Sequence, residues 1–233
     1  GQFWISRTGA LLYASGGTGG LTPGELSWID REGYAEKVEG FDNPLATQID
    51  LSPDGRHIAF HAQRALWVFD IERRTHQKLV SNGGGGPIWS PDGEWVTFNS
   101  DREGTPNLYR KRANGTAGVE RLTTSEFAQW PNSWSPDGKT LAFGEFIPSN
   151  AGDLMFYRTG ADPEVELFLG TPFWEWVPEF SPDGRFVAYS STESGTAEVY
   201  VRSSDGKGAQ VKVSTSSARD AQWAGPDELI YRS

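Results

Sequence analysis

Short apolar runs alternate with polar turn segments along most of the chain, and the same alternation returns several times. In one stretch, Trp134 closes the first run, residues 141–143 form the second, 154–157 the third and 165–168 the fourth. Short apolar or aromatic runs bounded by Gly, Pro, Asp and Ser predict β-strands, because helices need longer segments with a 3.6-residue period. The pattern therefore predicts a protein built from short strands.

One tetrapeptide, Ser-Pro-Asp-Gly, stands between the first and second run of the repeats. It occupies residues 52–55, 90–93, 135–138 and 181–184, and weaker copies stand at 6–9 and 224–227. Proline presets φ for a tight turn, aspartate accepts a hydrogen bond from its downstream backbone, and glycine adopts φ > 0. Each copy predicts a hairpin. The alternative, calcium ligation by the Asp-Gly pairs, is disfavoured because no oxygen-rich ligand loop accompanies them.

Successive copies begin 38 to 46 residues apart, which is a repeat signature. Each repeat holds four predicted strands, and a four-stranded antiparallel sheet of this kind is one blade of a β-propeller. We therefore predict an all-β, six-bladed β-propeller of four-stranded antiparallel blades, with the last blade incomplete. The whole chain, 1–233, forms one domain in this prediction. Its blades are expected at about 1–40, 46–80, 86–123, 132–169, 178–214 and, in part, 221–233.

The first and last repeats depart from the pattern. Residues 3–6 and 10–14 supply the first two strands of the first repeat, and a glycine-rich loop follows at 16–24. That loop lacks the Gly-Lys-Ser/Thr of a phosphate-binding loop, so we expect a flexible connection. Residues 229–231 are expected to form an exposed strand edge in the last blade. Either the natural chain continues with two more strands, or this edge pairs with a neighbouring molecule.

Composition narrows the class of partner. The chain has 233 residues, no Cys, and 21 Lys and Arg against 31 Asp and Glu, which gives a formal net charge of −10. An acidic chain without a basic stripe argues against nucleic-acid binding, and no apolar run reaches the length of a membrane span. We expect no cofactor, no membrane insertion by this chain, and a protein or peptide partner or a small ligand.

The repeated motif, Trp/Phe-Ser-Pro-Asp-Gly-Lys/Arg followed by an apolar strand, resembles the repeat of TolB-type, WD-repeat-like β-propellers. It is clearest at residues 134–143 and 180–189. Residues 120–125, 129–131 and 198–202 are most similar to the C-terminal propeller of bacterial membrane serine/threonine kinases. The resemblance covers essentially the whole chain. It implies a non-catalytic interaction module on the extracytoplasmic side of a membrane, with a kinase domain and a membrane span upstream.

A binding site is predicted where the loops before the first strand of each blade meet around the channel mouth, since ligands favour concave sites. Trp130 and Trp176 each stand five residues before a Ser-Pro-Asp-Gly copy. Aromatic surface with a few orienting charges is typical of a groove for a peptide segment or a sugar. The predicted ligand-binding residues are Gln48, Trp130, Trp174, Glu175, Trp176, Arg219 and Asp220.

Trp130 and Trp176 have an alternative interpretation. They could instead seal adjacent blades together, and the sequence leaves this open. Three other tryptophans directly precede the turns and are predicted to pack in the core, namely Trp89, Trp134 and Trp223.

Catalytic motifs are missing from the sequence. There is no Gly-x-Ser-x-Gly nucleophile elbow, and acid pairs such as Glu175 with Glu179 are too common among 31 acids to indicate a hydrolase. His57 and His61 share a strand face, but neither His76 nor another residue is indicated as a third metal ligand. We predict no enzymatic activity, no catalytic residue and no metal site.

The preferred function is a non-enzymatic binding or sensor module. A TolB-like periplasmic scaffold is one alternative. The accessory propeller of a prolyl-oligopeptidase-like peptidase or of a glycan lyase is another, because one fold hosts many functions.

Overall fold

The computed structural model describes residues 2–5, 11–14, 26–30, 32–43, 45–148 and 152–233. Two predicted features lie outside them, the weak turn copy at 6–9 and the glycine-rich loop at 16–24. The strands, in chain order, are β1 Gln2–Ile5, β2 Leu11–Ala14, β3 Leu26–Ile29, β4 Ala35–Lys37, β5 Thr47–Leu51, β6 His57–Ala62, β7 Ala65–Asp70, β8 Thr75–Val80, β9 Gly85–Trp89, β10 Trp95–Ser100, β11 Asn107–Arg112, β12 Glu120–Arg121, β13 Ala128–Trp134, β14 Thr140–Phe146, β15 Asp153–Arg158, β16 Glu164–Leu169, β17 Glu175–Phe180, β18 Phe186–Ser191, β19 Glu198–Ser203, β20 Val211–Lys212, β21 Arg219–Gly225 and β22 Glu228–Arg232.

The strands form five four-stranded sheets and one two-stranded sheet. The orders are β1-β2-β3-β4, β5-β6-β7-β8, β12-β11-β10-β9, β13-β14-β15-β16, β17-β18-β19-β20 and β21-β22. We number these sheets as blades 1 to 6 in chain order. The predicted all-β fold of four-stranded antiparallel blades is confirmed, with five such blades and a partial sixth. The described segments contain no helix that is both long and apolar enough to cross a membrane.

The first strand of the first repeat is also where the sequence predicts it. Phe3 pairs with Tyr13, and Trp4 pairs with Leu12, so β1 and β2 form a hairpin within blade 1. The assignment of residues 3–6 to the first repeat is thereby confirmed for the described residues 3–5.

The Ser-Pro-Asp-Gly copies are hydrogen-bonded turns, as predicted. In the copy at 181–184, the Gly184 N–H donates to the Ser181 carbonyl at 2.8 Å, and Gly184 has φ of +74°. The Ser181 hydroxyl donates to Asp183 Oδ1 at 2.7 Å and accepts the Phe186 N–H at 3.0 Å. Because the Arg185 N–H and the Ser181 hydroxyl both donate to the Asp183 carboxylate, its pKa falls to about 2. The other three copies repeat this hydrogen-bond pattern.

By its internal contacts the chain divides into two compact units. Unit 1 comprises Gly1–Arg102 and Tyr109–Glu120, and unit 2 comprises Glu103–Leu108 and Arg121–Ser233. In unit 1, the core of blades 1 and 2 includes Phe60 and Phe69, both fully buried. Blades 2 and 3 are joined by two hydrogen bonds from Trp89 to Asp50: the Trp89 backbone N–H donates to Asp50 Oδ2 at 2.7 Å, and the Trp89 indole N–H donates to the Asp50 carbonyl at 3.2 Å. Trp89 is buried, which confirms its predicted core position.

Unit 2 repeats this contact with a shorter side chain. Ser133 occupies the repeat position of Asp50, and its buried hydroxyl donates to the Pro178 carbonyl and accepts the Phe180 N–H, each at 3.0 Å. This hydroxyl therefore joins blades 4 and 5. The Trp223 indole N–H donates to the Glu179 carbonyl at 3.1 Å and so joins blades 5 and 6. The predicted packing roles of Trp134, which is buried, and Trp223, which is half-buried, are confirmed.

A bulge interrupts the first strand of blades 2 to 6. The pairing register shifts in every case. In blades 2, 3, 5 and 6 the shift includes the residue four positions before the repeat's turn, and in blade 4 it lies between Pro131 and Ser133. In four of these blades the residue at that position has left-handed φ: Gln48 at +49°, Gly86 at +55°, Val177 at +52° and Asp220 at +54°. The fifth has Pro131, whose ring excludes such a φ. The bulge bends each strand and re-aims the residue that precedes it.

Candidate binding surface

Blades 4 and 5 each have two distinct ends. The end that carries the Ser-Pro-Asp-Gly turns at 135–138 and 181–184 is called the turn end. At the opposite end β13 and β17 begin, β14 and β18 finish, and β15 and β19 begin. We call it the aromatic end, because several solvent-exposed aromatic side chains stand there.

The exposed aromatic residues form one surface across the two blades. Trp130 is 41% exposed, Phe146 39%, Phe173 39% and Trp174 50%, and Trp176 is half-buried beside them. The rings of Phe146 and Trp174 lie 6.4 Å apart at 50°, and those of Trp174 and Trp176 lie 6.4 Å apart at 79°. The first pair is tilted and the second is edge-to-face, an arrangement that aromatic rings favour. These five residues are called the aromatic surface below.

Strand register explains how the surface is assembled. Trp130 pairs with Gly144 and Ala128 pairs with Phe146, so these four residues share one face of blade 4. Gly144 has no side chain, which leaves the face beside Trp130 open for a ring. Exposed aromatic rings that lie together on a soluble protein usually mark a site of interaction.

Trp174 is fixed by its backbone. Its N–H donates to the Thr192 hydroxyl at 3.1 Å, and its carbonyl accepts the Thr192 N–H at 3.1 Å. Gly152 lies under the ring: a Cβ there would come within 3.6 Å of the Trp174 indole nitrogen. The exposed indole therefore stands on a rigid backbone, which lowers the entropy lost when a partner binds.

Glu175 lies beneath the aromatic surface. Its side chain is 3% exposed, and its Oε1 accepts the Thr171 hydroxyl at 2.5 Å and the Ser191 hydroxyl at 3.3 Å. Among the residues that the structure describes, its buried Oε2 has no hydrogen-bond partner. Burial raises the pKa of Glu175; the Thr171 and Ser191 hydroxyls oppose this, and the negative charges of Asp153 and Glu193 add to it.

In blade 4 the position equivalent to Glu175 is occupied by a residue with an amide side chain. Gln129 stands six residues before its turn, as Glu175 does, and its Nε2 donates to Glu145 at 2.8 Å while Thr123 donates to its Oε1. The amide can donate as well as accept, so it pairs with the Glu145 carboxylate. An ionised Glu175 can only accept, and this difference leaves one of its oxygens unpaired.

The other predicted site residues have identified partners. In unit 1, Gln48 Oε1 accepts the Gly86 N–H at 3.0 Å, so this side chain supports the bulge of the following blade. In unit 2, the Asp220 carboxylate pairs with Arg232, its N–H donates to Ser190 at 3.2 Å, and Arg219 is exposed. The structure brings Trp174, Glu175 and Trp176 together. A ligand-binding role for the predicted residues stays a prediction.

Sequence reasoning missed Phe146 as part of the surface. It lies three residues beyond the predicted second strand at 141–143, and the polar-apolar pair Glu145-Phe146 is the signal that could have extended that strand. The histidines have local partners: His61 lies 3.4 Å from the Thr47 hydroxyl, and His76 packs against Phe69 with ring centroids 4.7 Å apart. Within the described ranges, no group of three or more His, Asp or Glu side chains could hold a metal ion.

Four-stranded antiparallel blades whose first two strands are joined by Ser-Pro-Asp-Gly turns define a protein of the β-propeller class. Residues 40–226 match the TolB β-propeller domain family. The chain belongs to this family.

Curated relatives match over part of their length. The uncharacterized protein Atu1656 of Agrobacterium fabrum is 35% identical over 98 residues, which are 40% of this chain and 33% of that protein. The Tol-Pal system protein TolB of Francisella tularensis subsp. tularensis is 25% identical over 150 residues, 60% of this chain and 33% of that protein. The chain thus spans about a third of the length of the curated relatives it matches.

Solved structures show the same fold. TolB from Acinetobacter baumannii superposes with a TM-score of 0.71 at 24% identity, covering 87% of this chain and 51% of that one. A puromycin hydrolase superposes with a TM-score of 0.67 at 14% identity, covering 97% of this chain and 40% of that one. At these identities the likeness concerns the fold alone, and enzymes as well as Tol-Pal proteins contain it.

Proposed function

We propose that this chain is a non-enzymatic, TolB-like propeller module that binds a segment of a protein partner on the aromatic surface. The observation that carries the proposal is the exposure of four aromatic side chains, Trp130, Phe146, Phe173 and Trp174, at one end of two neighbouring blades. Binding hot spots are enriched in tryptophan, because a large ring buries much area at a small cost in rotamer entropy. An extended segment lying across blades 4 and 5 would cover these rings.

Family membership supports a scaffold role. The name of the Francisella tularensis relative places that protein in the Tol-Pal system, and we infer that the present chain serves as the corresponding type of assembly module. An extracytoplasmic location belongs to the same proposal. The proposal has two more specific parts, attachment to a membrane kinase and a complete sixth blade. Both rest on the sequence resemblance.

Selection from a random peptide display library tests the proposal. The protein is presented in three forms: wild type, the double variant Trp130→Ala/Trp174→Ala, and the control Val165→Ala/Leu167→Ala. The control removes two exposed apolar side chains, 43% and 58% exposed, from β16 of the same unit. Only the first variant changes the aromatic surface, so the comparison separates this surface from exposed apolar area in general.

We expect enriched peptides to bind the wild type and the control equally, and to bind the aromatic variant at least about 10-fold more weakly, the loss for one hot-spot side chain. Melting temperatures of all three forms are measured in parallel. Peptides that bind all three forms equally, or a library that yields no binder, contradict the proposed function. A large loss of stability in the aromatic variant would instead favour the alternative in which the tryptophans seal the blades.

A further inference from the structure

The negative charge of the protein is unevenly distributed. Unit 2 carries 17 Asp and Glu against 9 Lys and Arg, a net charge of −8, whereas unit 1 carries 14 against 12, a net charge of −2. Unit 2 also contains the aromatic surface. The unit that offers exposed aromatic rings is therefore also the unit that holds most of the excess charge.

Within blades 4 and 5 the excess lies at one end. The segments that form the aromatic end are 125–130, 144–148, 152–154, 169–176 and 190–199, and they contain six acids and no Lys or Arg. The acids are Glu126, Glu145, Asp153, Glu175, Glu193 and Glu198. The segments of the turn end, 134–140, 157–165, 180–186 and 201–209, contain five acids and five bases. Of the strands of these blades that finish at the aromatic end, β20 adds one base, Lys212, so acids outnumber bases there by six to one.

Local ion pairs reinforce this difference. At the turn end Arg185 pairs with Asp183 at 2.6 Å, and Lys139 lies 4.0 Å from Asp137. At the aromatic end, the one described ion pair involves a base from outside these segments, Lys212, which lies 3.4 Å from Glu198. Glu126 and Glu193 are exposed beside the aromatic surface.

Glu175 is a second, independent indication that this end favours a positively charged ligand. It is 3% exposed, lies directly between Trp174 and Trp176 in the chain, and its Oε2 is unpaired among the described residues. A buried carboxylate oxygen without a hydrogen-bond partner is costly to keep. A positive charge placed over the adjacent rings would lower that cost through its field, and aromatic faces themselves attract cations.

We propose that the partner segment bound on the aromatic surface is basic, and that its Lys or Arg side chains lie over Trp130, Phe146 and Trp174 within the field of the acids at this end. This inference rests on the proposed function and specifies the chemistry of its partner. Charge complementarity selects the occupant, because an excess of acids attracts a cationic segment and repels an acidic one. An apolar segment would gain from the rings but would not balance the negative charge at this end.

Four synthetic peptides test the inference, each acetylated and amidated: (Lys-Gly)3, (Arg-Gly)3, (Gln-Gly)3 and (Glu-Gly)3. They are titrated into ¹⁵N-labelled protein while the indole N–H signals of Trp130 and Trp174 are followed by NMR. We expect the Lys and Arg peptides to shift both signals, with at least about 10-fold lower Kd than the Gln peptide. Their binding should weaken from about 20 to about 150 mM salt, since screening shortens the reach of exposed charges.

Two variants and one control locate the charge. Glu175→Gln removes the buried charge, Glu126→Gln/Glu193→Gln removes two exposed charges, and Glu164→Gln removes one exposed charge at the start of β16, at the turn end. We expect the first two to raise the Kd of the Lys peptide at least about 3-fold, and the control to leave it unchanged. The double variant alters exposed side chains only, so it keeps the test valid if Glu175→Gln fails to fold.

The results separate this inference from the proposed function. If the Gln peptide binds as tightly as the Lys peptide, or if neither Lys nor Arg peptide shifts the indole signals, the partner is not basic and the inference is wrong. Display peptides that require the tryptophans but are neutral or acidic would leave the proposed function intact and overturn this inference alone. Display binding that ignores the tryptophans would overturn both.

Discussion

In the Ser-Pro-Asp-Gly turn at the turn end of blade 5, polar groups satisfy one another by hydrogen bonds. At the aromatic end of the same blade, one buried carboxylate oxygen has no hydrogen-bond partner among the described residues. Ser181 both donates and accepts within its turn, and the pKa of Asp183 is low because backbone and hydroxyl donors stabilise its charge. Glu175, at the other end of the same strand, has a raised pKa and an unpaired oxygen. The Ser-Pro-Asp-Gly turn is thus satisfied within the chain. Among the described residues, a buried carboxylate oxygen at the aromatic end and Arg202 Nε at the turn end have no hydrogen-bond partner.

The largest expected effect is at the turn end. Ser181→Ala removes a fully buried hydroxyl and leaves the Phe186 N–H and one lone pair of Asp183 unsatisfied. We expect the free energy of unfolding to fall by about 1–3 kcal/mol, measured by urea denaturation. Ser194→Ala changes an exposed serine of the same blade and serves as the control. If both variants have the same stability, the turn hydrogen bonds do not distinguish the two ends.

A smaller, pH-dependent effect is expected from Glu175. Its pKa is higher in the folded than in the unfolded chain, so the folded state binds more protons, and stability falls as pH rises through the raised pKa. We expect Glu175→Gln to remove this contribution, so that its stability relative to wild type increases between acidic and neutral pH. Urea denaturation at about pH 4 and pH 7 measures the difference. An unchanged difference between the two pH values would mean that the carboxyl is effectively solvated.

The smallest expected effect is at Trp174. Half of this side chain is exposed, so Trp174→Ala should lower the free energy of unfolding by less than about 1 kcal/mol. The control for a core position is Phe180→Ala, at a buried residue of β17 in the same blade, which should cost about 3–5 kcal/mol. Thermal denaturation of both variants makes the comparison. A similar loss in both would show that Trp174 is part of the packed core and would remove the contrast between the two ends.

Much of the fold can be predicted from the sequence because the same turn motif and flanking apolar runs recur in most repeats. The turns, the hairpins and the positions of Trp89 and Trp134 follow from local rules, and they occur where the motif places them. The candidate surface is harder to predict. The offset of Trp130 and Trp176 from the turns indicates the correct strand ends, but the contact between Phe146 and Trp174 joins two blades. Such a contact depends on how the blades pack, which no single repeat specifies.

The uneven distribution of charge between the two ends also depends on the fold. Acids at the two ends alternate along the sequence, so the overall charge of −10 hides the difference. Only the strand directions assign Glu145 and Glu193 to one end and Asp137 and Asp183 to the other. In the same way, the buried Oε2 of Glu175 has no described hydrogen-bond partner because the fold buries this side chain, and the neighbouring residues in the sequence do not predict that burial.

The bulge in each first strand has a consequence for how such a module changes over time. The turn fixes the register of one half of the strand, and the left-handed residue, such as Val177 or Asp220, separates that half from the residue before it. That preceding residue is Thr47 in blade 2, Trp176 in blade 5 and Arg219 in blade 6. These three blades can therefore exchange the displayed side chain without disturbing the hairpin below, so new specificity can be acquired one blade at a time.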